Sequence, residues 1–328
     1  MTSSSSTHPE SPIATVSVVI NSYNYGRFVV EAIDSALAQS VPPAEVIVVD
    51  DGSTDDTARI LEDRFAGHSA VKVLRQRNGG QLSALVLGLE HASGDLICFL
   101  DADDKYEPNH LLNVTGVFAE HEDVDFVFTA HRCFGQADDV VQYAPEDLSL
   151  GFSVIATLKE RIFLGSITST LAIRRSLSLT LLPVLRQVAP RWRVRADDAI
   201  VFGGSLAGAK KHYLAEPTVL YRIHDKNDHI FCQVPSIQRR FAHGLRRDTL
   251  LELLSRHLGL GPSVRLRVVW EFLSIQQPTR SQYRVYVRLN WQIQDSLLKG
   301  LKGRIKIYLH YKRHRPAWDI STPVEFHA

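Results

Sequence analysis

The sequence predicts an α/β protein with a mainly parallel sheet, followed by a helical C-terminal region. Three observations carry this. Short apolar runs at 16–20, 46–49, 71–74 and 96–100 alternate with stretches of helical periodicity, the pattern of parallel strands joined by crossover helices and covered on both faces. Each run stops at a polar cluster, and Asn21, Asp50 with Asp51, Asn78, and Asp101 with Asp103 lie in the four that follow. Beyond Pro235 apolar residues recur at helical spacing among many arginines.

Taken in order, Val16 to Ile20 reads as a first buried strand ending at Asn21-Ser22-Tyr23-Asn24. Phe28, Val29, Ala32, Ile33, Ala36 and Leu37 form one apolar helical face, closed by Val41-Pro42-Pro43. Val46 to Val49 is a second strand, stopping at Asp50-Asp51-Gly52-Ser53. Ser53 or Thr54 is expected to cap the next helix, with Asp55 and Asp56 favourable in its first turn. Val71 to Leu74 is a third strand, and Asn78-Gly79-Gly80-Gln81 leads into a helix marked by Leu82, Leu85 and Leu89. The fourth, Leu96 to Leu100, is continuously apolar, as a strand buried on both faces requires. A helix from Pro108 to about Glu120 and a strand from Val124 to Phe128 complete this half.

Length and composition set bounds. A chain of 328 residues, 45% hydrophobic and 22% charged, fits one large soluble domain plus a smaller unit. Its net charge of +1 hides an asymmetry: of 37 Lys and Arg, 17 lie from Arg239 onward, against only 6 of the 36 Asp and Glu. The two portions are expected to meet different partners. Three scattered cysteines (Cys98, Cys133, Cys232) suit neither a disulfide framework nor a zinc site, which points to a reducing, cytoplasmic address. No apolar run is long enough to span a membrane, and Met1 to Pro12 lacks the apolar core of a signal peptide. The expected organisation is a disordered tail at 1–14, an α/β domain at 15–234 and a basic, mainly helical region at 235–328.

The fourth strand ends in Asp101-Ala102-Asp103-Asp104. In extended backbone Asp101 and Asp103 point the same way. Two such carboxylates repel unless a cation lies between them. A hard divalent ion, Mg²⁺ or Mn²⁺, fits, and such ions keep substrate phosphates in their shell. The alternative is a solvated acidic turn capping the helix at Pro108. Context favours the first reading. Asn21, Asp50 with Asp51, Asn78, and Asp101 with Asp103 each follow a predicted strand. In a parallel sheet these loops share the carboxyl edge where ligands bind. The glycine fingerprint of a nicotinamide dehydrogenase is absent from the first turn.

Val18 to Thr54 (from Val-Ile-Asn-Ser-Tyr to Val-Asp-Asp-Gly-Ser-Thr) and Asn78 to Pro108 (from Asn-Gly-Gly-Gln to Leu-Asp-Ala-Asp-Asp) resemble glycosyltransferase family 2. These are inverting enzymes of the GT-A fold, a Rossmann-like nucleotide-binding domain, that use nucleotide sugars. The resemblance is dense from Val16 to about Val127 and thins to islands up to about Asn227. It implies that Asp51 accepts a hydrogen bond from the base, uracil N3–H for a UDP-sugar, and that Asn21 and Tyr23 line the base and ribose pocket. Asp103 would be the direct metal ligand, with Asp101 facing the ribose or the metal's waters. One departure is Val86, where members often carry Asn.

Arg195-Ala196-Asp197-Asp198 resembles the family's acidic pair at the head of a helix, whose second member, Asp198, takes the role of base for the acceptor hydroxyl. A helix N-terminus holds a carboxylate ionised, which suits that role, although both acids could simply cap the helix. Gly203-Gly204 within it suggests a short helix or a close backbone approach. Tyr221-Arg222-Ile223-His224 resembles the family's Tyr-Arg-x-His, in which the His completes the metal shell or contacts the diphosphate; a structural His is the competing reading. Arg222 could pair with phosphate or with the acidic rim. Leu164 to Thr170 falls where the family places an acceptor-side loop.

Past Pro235, Tyr283, Tyr286, Trp291, Tyr308 and Tyr311 interleave with basic residues on amphipathic helices. That composition suits peripheral contact with an anionic membrane, at the inner face of the cell membrane. A helical subdomain with its charges in water is the other reading; nucleic acid fits less well, since no recognised module accompanies the charge. The resemblance therefore implies a metal-dependent inverting glycosyltransferase that moves a sugar from a nucleotide-sugar donor to a glycan or lipid-linked glycan. The alternatives are a catalytically silent nucleotide- or carbohydrate-binding relative and a sugar-phosphate nucleotidylyltransferase, whose glycine- and basic-rich phosphate loop is missing after the first strand.

Overall fold

The computed structural model describes residues 14–225, 237–294 and 296–318. Most of the expected tail, Cys232 and the expected boundary at 234/235 lie outside them. Strands β1 (Val16–Ser22), β2 (Glu45–Asp50), β3 (Val71–Arg75) and β4 (Leu96–Asp101) pair in parallel in the order β3-β2-β1-β4. Helices α1 (Val29–Leu37), α2 (Thr57–Phe65) and α3 (Gln81–His91) are the crossovers. Side chains alternate across a strand, so each apolar run feeds two cores. Val19, Ile47, Val49, Ile97 and Phe99 pack with α3. Val18, Ile20, Val46, Val48, Cys98 and Leu100 pack with α1, α2 and α4 (His110–Glu120). Gly88 is required for the first of these contacts, because a Cβ there would lie 2.3 Å from Val19 Cγ1.

The sheet is mixed beyond β4. After the short β5 (Lys105–Tyr106), strand β6 (Phe126–Gly135) leads to β7 (Val140–Val141) and β8 (Leu148–Gly151). Strand β9 (Leu171–Arg174) lies antiparallel between β4 and β6, and β10 (Lys211–Ile223) runs parallel to β6. Helices α5 (Val154–Glu160), α6 (Arg175–Val188) and α7 (Ala196–Leu206) lie between these strands in sequence. The Gly203-Gly204 pair is a close approach inside a full helix: a Cβ at Gly204 would stand 2.9 Å from the Phe126 ring. Lys211, fully buried, ties α7 to the loop before β9. Its Nζ donates to the carbonyls of Leu164 (2.7 Å) and Val201 (3.0 Å). Burial pushes the Lys211 ammonium well below the usual lysine range, and the two hydrogen bonds it donates offset part of the cost of that burial.

The expected cap of α2 is corrected. Ser53 Oγ accepts from Asn24 N instead, and Asp55 Oδ1 receives the Thr57 amide at 3.0 Å and its hydroxyl. The helix starts later than the sequence suggests because Asn24, at φ +58°, draws the amides of Thr54 and Asp55 onto its Oδ1. Asn tolerates that left-handed backbone better than most residues.

The C-terminal region is helical, with α8 (Ile237–His257), α9 (Val268–Leu273), α10 (Arg280–Ile293) and α11 (Leu297–His314). Leu250, Leu251 and Leu254 of α8 join the same core as α3, α6 and α7. The last three helices form another cluster with α5. Its polar centre is Glu271, which accepts the Ile155 and Ala156 amides and the Tyr286 hydroxyl (2.8 Å). A capping box between Thr279 and Gln282 starts α10. No helix among the described residues is long and apolar enough to cross a membrane.

Candidate active site

Loops at the carboxyl ends of β1, β2, β3 and β4 meet at one edge of the sheet, as the parallel pairing requires. Asp51, almost fully buried, is held from both oxygens: Oδ1 accepts Gly79 N (2.8 Å) and Gln76 Nε2 (2.7 Å), and Oδ2 accepts Gly80 N (2.7 Å). The β3 loop is thereby folded onto the β2 loop. Tyr23 is 44% exposed at the rim. Asn78 turns outward to hydrogen-bond Arg193.

Gln81 is the link that sequence reasoning left without a role. Its Nε2 donates to Asp101 Oδ1 (2.9 Å) and lies 3.3 Å from Thr168 Oγ1, while its Oε1 accepts the Ala196 amide at the start of α7 (3.0 Å). One amide thus joins the Asp-x-Asp strand, the loop at Leu164 to Thr170 and the helix of the acidic pair. Gly80 makes room for it. Its φ of +92° with ψ of 167° is open only to glycine, and a Cβ there would lie 2.5 Å from Arg193 Cα. Gly80→Ala should therefore cost about 1–3 kcal/mol from backbone strain alone. Urea unfolding should show that loss, and nucleotide affinity should fall with it as the cradle of Asp51 opens. An unchanged unfolding midpoint would contradict this account of the turn.

Burial, then the neighbouring charge of Asp103, pushes the Asp101 carboxyl up to about 7. Asn21 and Gln81 oppose the shift by hydrogen bonding to it, and the charge of Asp197 adds to it. Asp104 is fully buried and structural: it accepts Ser169 Oγ (2.5 Å) and Arg222 N (2.9 Å). Asp103 Oδ2 lies 3.0 Å from His224 Nε2. His224 comes from the end of β10 and packs between Tyr25 and Phe28. Arg222 donates to the Asp103 carbonyl (2.7 Å) and to Glu31 (2.9 Å), with its guanidinium over the rings of Phe28 and Phe134. In this arrangement it braces the acidic rim; a phosphate contact would have to compete with Glu31.

The residues fit a divalent cation shared with a ligand better than an all-protein cage. Asp103 and His224 offer a hard oxygen and an imidazole nitrogen beside each other. Among the described residues no three His, Cys, Asp or Glu surround a common point. Mg²⁺ and Mn²⁺ sites of this kind use one or two side chains and complete the shell with phosphate and water.

At the head of α7 the acidic pair divides. Asp198 accepts Arg195 Nε and Nη2, both at 3.1 Å, and lies 3.2 Å from His243 Nε2 of α8. Burial works to raise its pKa, but the bonds and charges of His243 and Arg195 prevail and hold the carboxyl below the usual range. Asp197 goes the other way, up to about 7, through burial and then the charge of Asp198. The structure therefore joins Asn21, Gln81, Asp101 and the start of α7 in one network, and Asp103, Arg222 and His224 in another. Arg195 and His243 lacked a sequence signal: one sits in the left-handed region at φ +61°, the other on a helix distant in sequence.

A family model described as Glycosyl transferase family 2 matches residues 17–178. The chain belongs to glycosyltransferase family 2. An uncharacterized glycosyltransferase of Nostoc sp. is 31% identical over 222 residues, 66% of this chain and 66% of that protein. Chondroitin synthase of Escherichia coli is 37% identical over 117 residues, 36% of this chain but 17% of the synthase. An undecaprenyl-phosphate 4-deoxy-4-formamido-L-arabinose transferase of Klebsiella pneumoniae is 39% identical over 118 residues, 34% of this chain and 36% of that transferase. The matches therefore span less than two thirds of these relatives' own lengths, and a small part of the synthase. Among solved structures, S. aureus TarS 1-349 in complex with UDP-GlcNAc superposes with a TM-score of 0.54 at 18% identity, over 91% of this chain and 89% of that one. At that identity the likeness is one of fold: the family 2 member has the GT-A architecture, with helices in its C-terminal region.

Proposed function

We propose that this family 2 member is a metal-dependent inverting glycosyltransferase. It moves a sugar from a nucleotide sugar, a UDP-sugar by preference, to a hydroxyl of a glycan or lipid-linked glycan in surface polysaccharide or glycolipid assembly. The observation that carries the reading is the joining of Asp51, Asp101 and the start of the α7 helix that bears the acidic pair, through Gly79, Gly80 and Gln81, with Asp103 and His224 paired two residues beyond Asp101. TarS in complex with UDP-GlcNAc and with UDP supports the donor class, and the chondroitin synthase and the undecaprenyl-phosphate arabinose transferase among the relatives support the acceptor class. The buried free thiols Cys98 and Cys133 support a reducing, cytoplasmic address.

In this mechanism Asp51 accepts the base N–H while its bonds to Gly79 and Gly80 fix its direction. Asn21 and Tyr23 flank the base and ribose, Asn78 borders them, and Asp101 faces the ribose or the metal's waters. Asp103 and His224 would hold Mn²⁺ or Mg²⁺, which supplies positive charge to the departing nucleoside diphosphate. Arg222 keeps Asp103 in place through its carbonyl. Asp198 is the base. An ionised carboxylate has about four lone-pair sites, and Arg195 and His243 take three of them. The remaining site accepts the proton of the acceptor hydroxyl as it attacks the anomeric carbon.

The reading is tested by incubating the purified chain with a panel of UDP-sugars and Mn²⁺ and measuring UDP release, then repeating with glycan acceptors. Release from one donor, increased by an acceptor, is expected. Nucleotide binding without release from any donor, over a broad acceptor panel, would instead identify a catalytically silent relative.

A further inference from the structure

Helix α11 has two faces, and the fold uses one. Gly300, Gly303, Ile307 and Tyr311 are buried against the neighbouring helices. The approach is so close that a Cβ at 303 would stand 2.3 Å from Asn290 Oδ1. On the opposite side Leu297, Leu298, Leu301, Ile305, Tyr308 and Leu309 are all exposed, Leu297 by 81% and Leu298 by 71%. At about 100° per residue these six fall within about 120° of one another. They form a continuous apolar stripe in which each side chain is at least 47% exposed. Isolated surface leucines are ordinary, whereas a stripe of this kind marks an interaction surface.

Charge selects the occupant. Lys302, Lys306 and Arg313 run along one edge of the stripe and Arg304 along the other, Lys312 closes its C-terminal end on the same face, and the helix contains no Asp or Glu. A second copy docking stripe to stripe would bring like charges together with no acid on either helix to offset them. A nucleic acid would use the charges but leave the leucines in water. Trp270, 65% exposed, lies with its ring 5.8 Å from Lys306 Nζ and adds an amphipathic aromatic at the basic edge. Apolar side chains flanked by lysine, arginine and tryptophan match the boundary between headgroups and acyl chains. The helix is not long and apolar enough to cross it.

We propose that the exposed face of α11 docks in the plane of an anionic lipid surface. The stripe enters the acyl boundary and the basic edges meet the headgroups. The inference stands independently of the donor and acceptor proposed above.

Flotation of the full chain with vesicles of phosphatidylcholine, alone or mixed with phosphatidylglycerol, tests it. Binding to the mixed vesicles is expected, weakening as salt screens the basic edges. The triple variant Lys302→Gln, Lys306→Gln, Arg313→Gln should bind about a hundredfold more weakly, from a factor of about five per basic residue near an anionic surface. Leu301→Asp with Ile305→Asp should abolish binding. Both variants should keep the wild-type circular dichroism and melting temperature, since neither alters the buried face. Failure of the wild-type chain to bind the mixed vesicles at low salt would overturn the proposal. So would equal binding by folded variants. A wild-type dimer that ignores vesicles and that Leu301→Asp with Ile305→Asp converts to monomer would assign the stripe to a second copy.

Discussion

Asp198→Asn should lower the transfer rate about 10²- to 10⁴-fold, the range supplied by a positioned general base, with donor affinity nearly unchanged. The amide cannot take a proton from the acceptor, and its NH₂ group would face a donor, Arg195 or His243, where the carboxylate oxygen accepts. Donor binding rests on other loops and should survive. Asp197→Asn is the matched comparison. It removes a carboxyl that burial and Asp198 push up to about 7 and that is therefore half-neutral near that pH, so its effect on rate should be much smaller. If the Asp197 variant is inactive and the Asp198 variant is active, the base lies one residue earlier. The same substitution has a thermodynamic signature. The folded-state pKa of Asp198 is lowered, so its ionisation contributes stability above the ordinary aspartate range. That contribution is lost as pH falls through the lowered value. The stability gap between wild type and Asp198→Asn should thus be widest near neutral pH and close in acid, which a pH series of urea melts would show.

Asp103→Asn is the second large effect. A metal at a leaving diphosphate supplies several kcal/mol of charge stabilisation, and each 1.36 kcal/mol is about tenfold in rate. Losing the anionic ligand should therefore reduce kcat/KM by about 10²- to 10³-fold. It should also remove most of the difference between Mn²⁺ and chelator. Asp103 is nearly buried and touches His224, so the neutral isostere keeps the packing while halving the donor pair. His224→Ala separates two roles. If His224 holds the metal, Mn²⁺ affinity falls and His224→Asn does not restore it. If His224 only orients Asp103 by its hydrogen bond, the Asn variant restores both affinity and rate. Full activity of Asp103→Asn in the presence of chelator would contradict a metal-assisted reaction.

The first half of the fold was legible because its strands are buried on both faces. Val16–Ser22, Glu45–Asp50 and Leu96–Asp101 lie at the centre of the sheet, where unbroken apolar runs are required. The polar residues that follow them were legible as a rim for the same topological reason. The second half was harder to read. β10 starts at the buried Lys211 and shifts register between Leu214 and Val219, around Pro217, so no apolar run announces its thirteen residues. β9 is a four-residue strand defined by its antiparallel neighbours on both sides. The site's connecting groups escaped for a different reason. Gln81, Asn24 and His243 act through bonds to residues 20 to 115 positions away or to backbone amides, and such pairings leave no local pattern. The basic C-terminal region was legible as helical, but its composition did not show that α8 would share the main core while α11 left an apolar face uncovered.

The most direct test of the central claim is calorimetric titration of the chain with UDP, GDP and dTDP, each with Mn²⁺ and with chelator, beside Asp51→Ala and Asp103→Asn. UDP is expected to bind most tightly, and chelator to weaken it strongly. Asp51→Ala should lose the preference for uracil, and Asp103→Asn should lose the response to metal. No binding of any of the three nucleotides by the folded chain would contradict the claim.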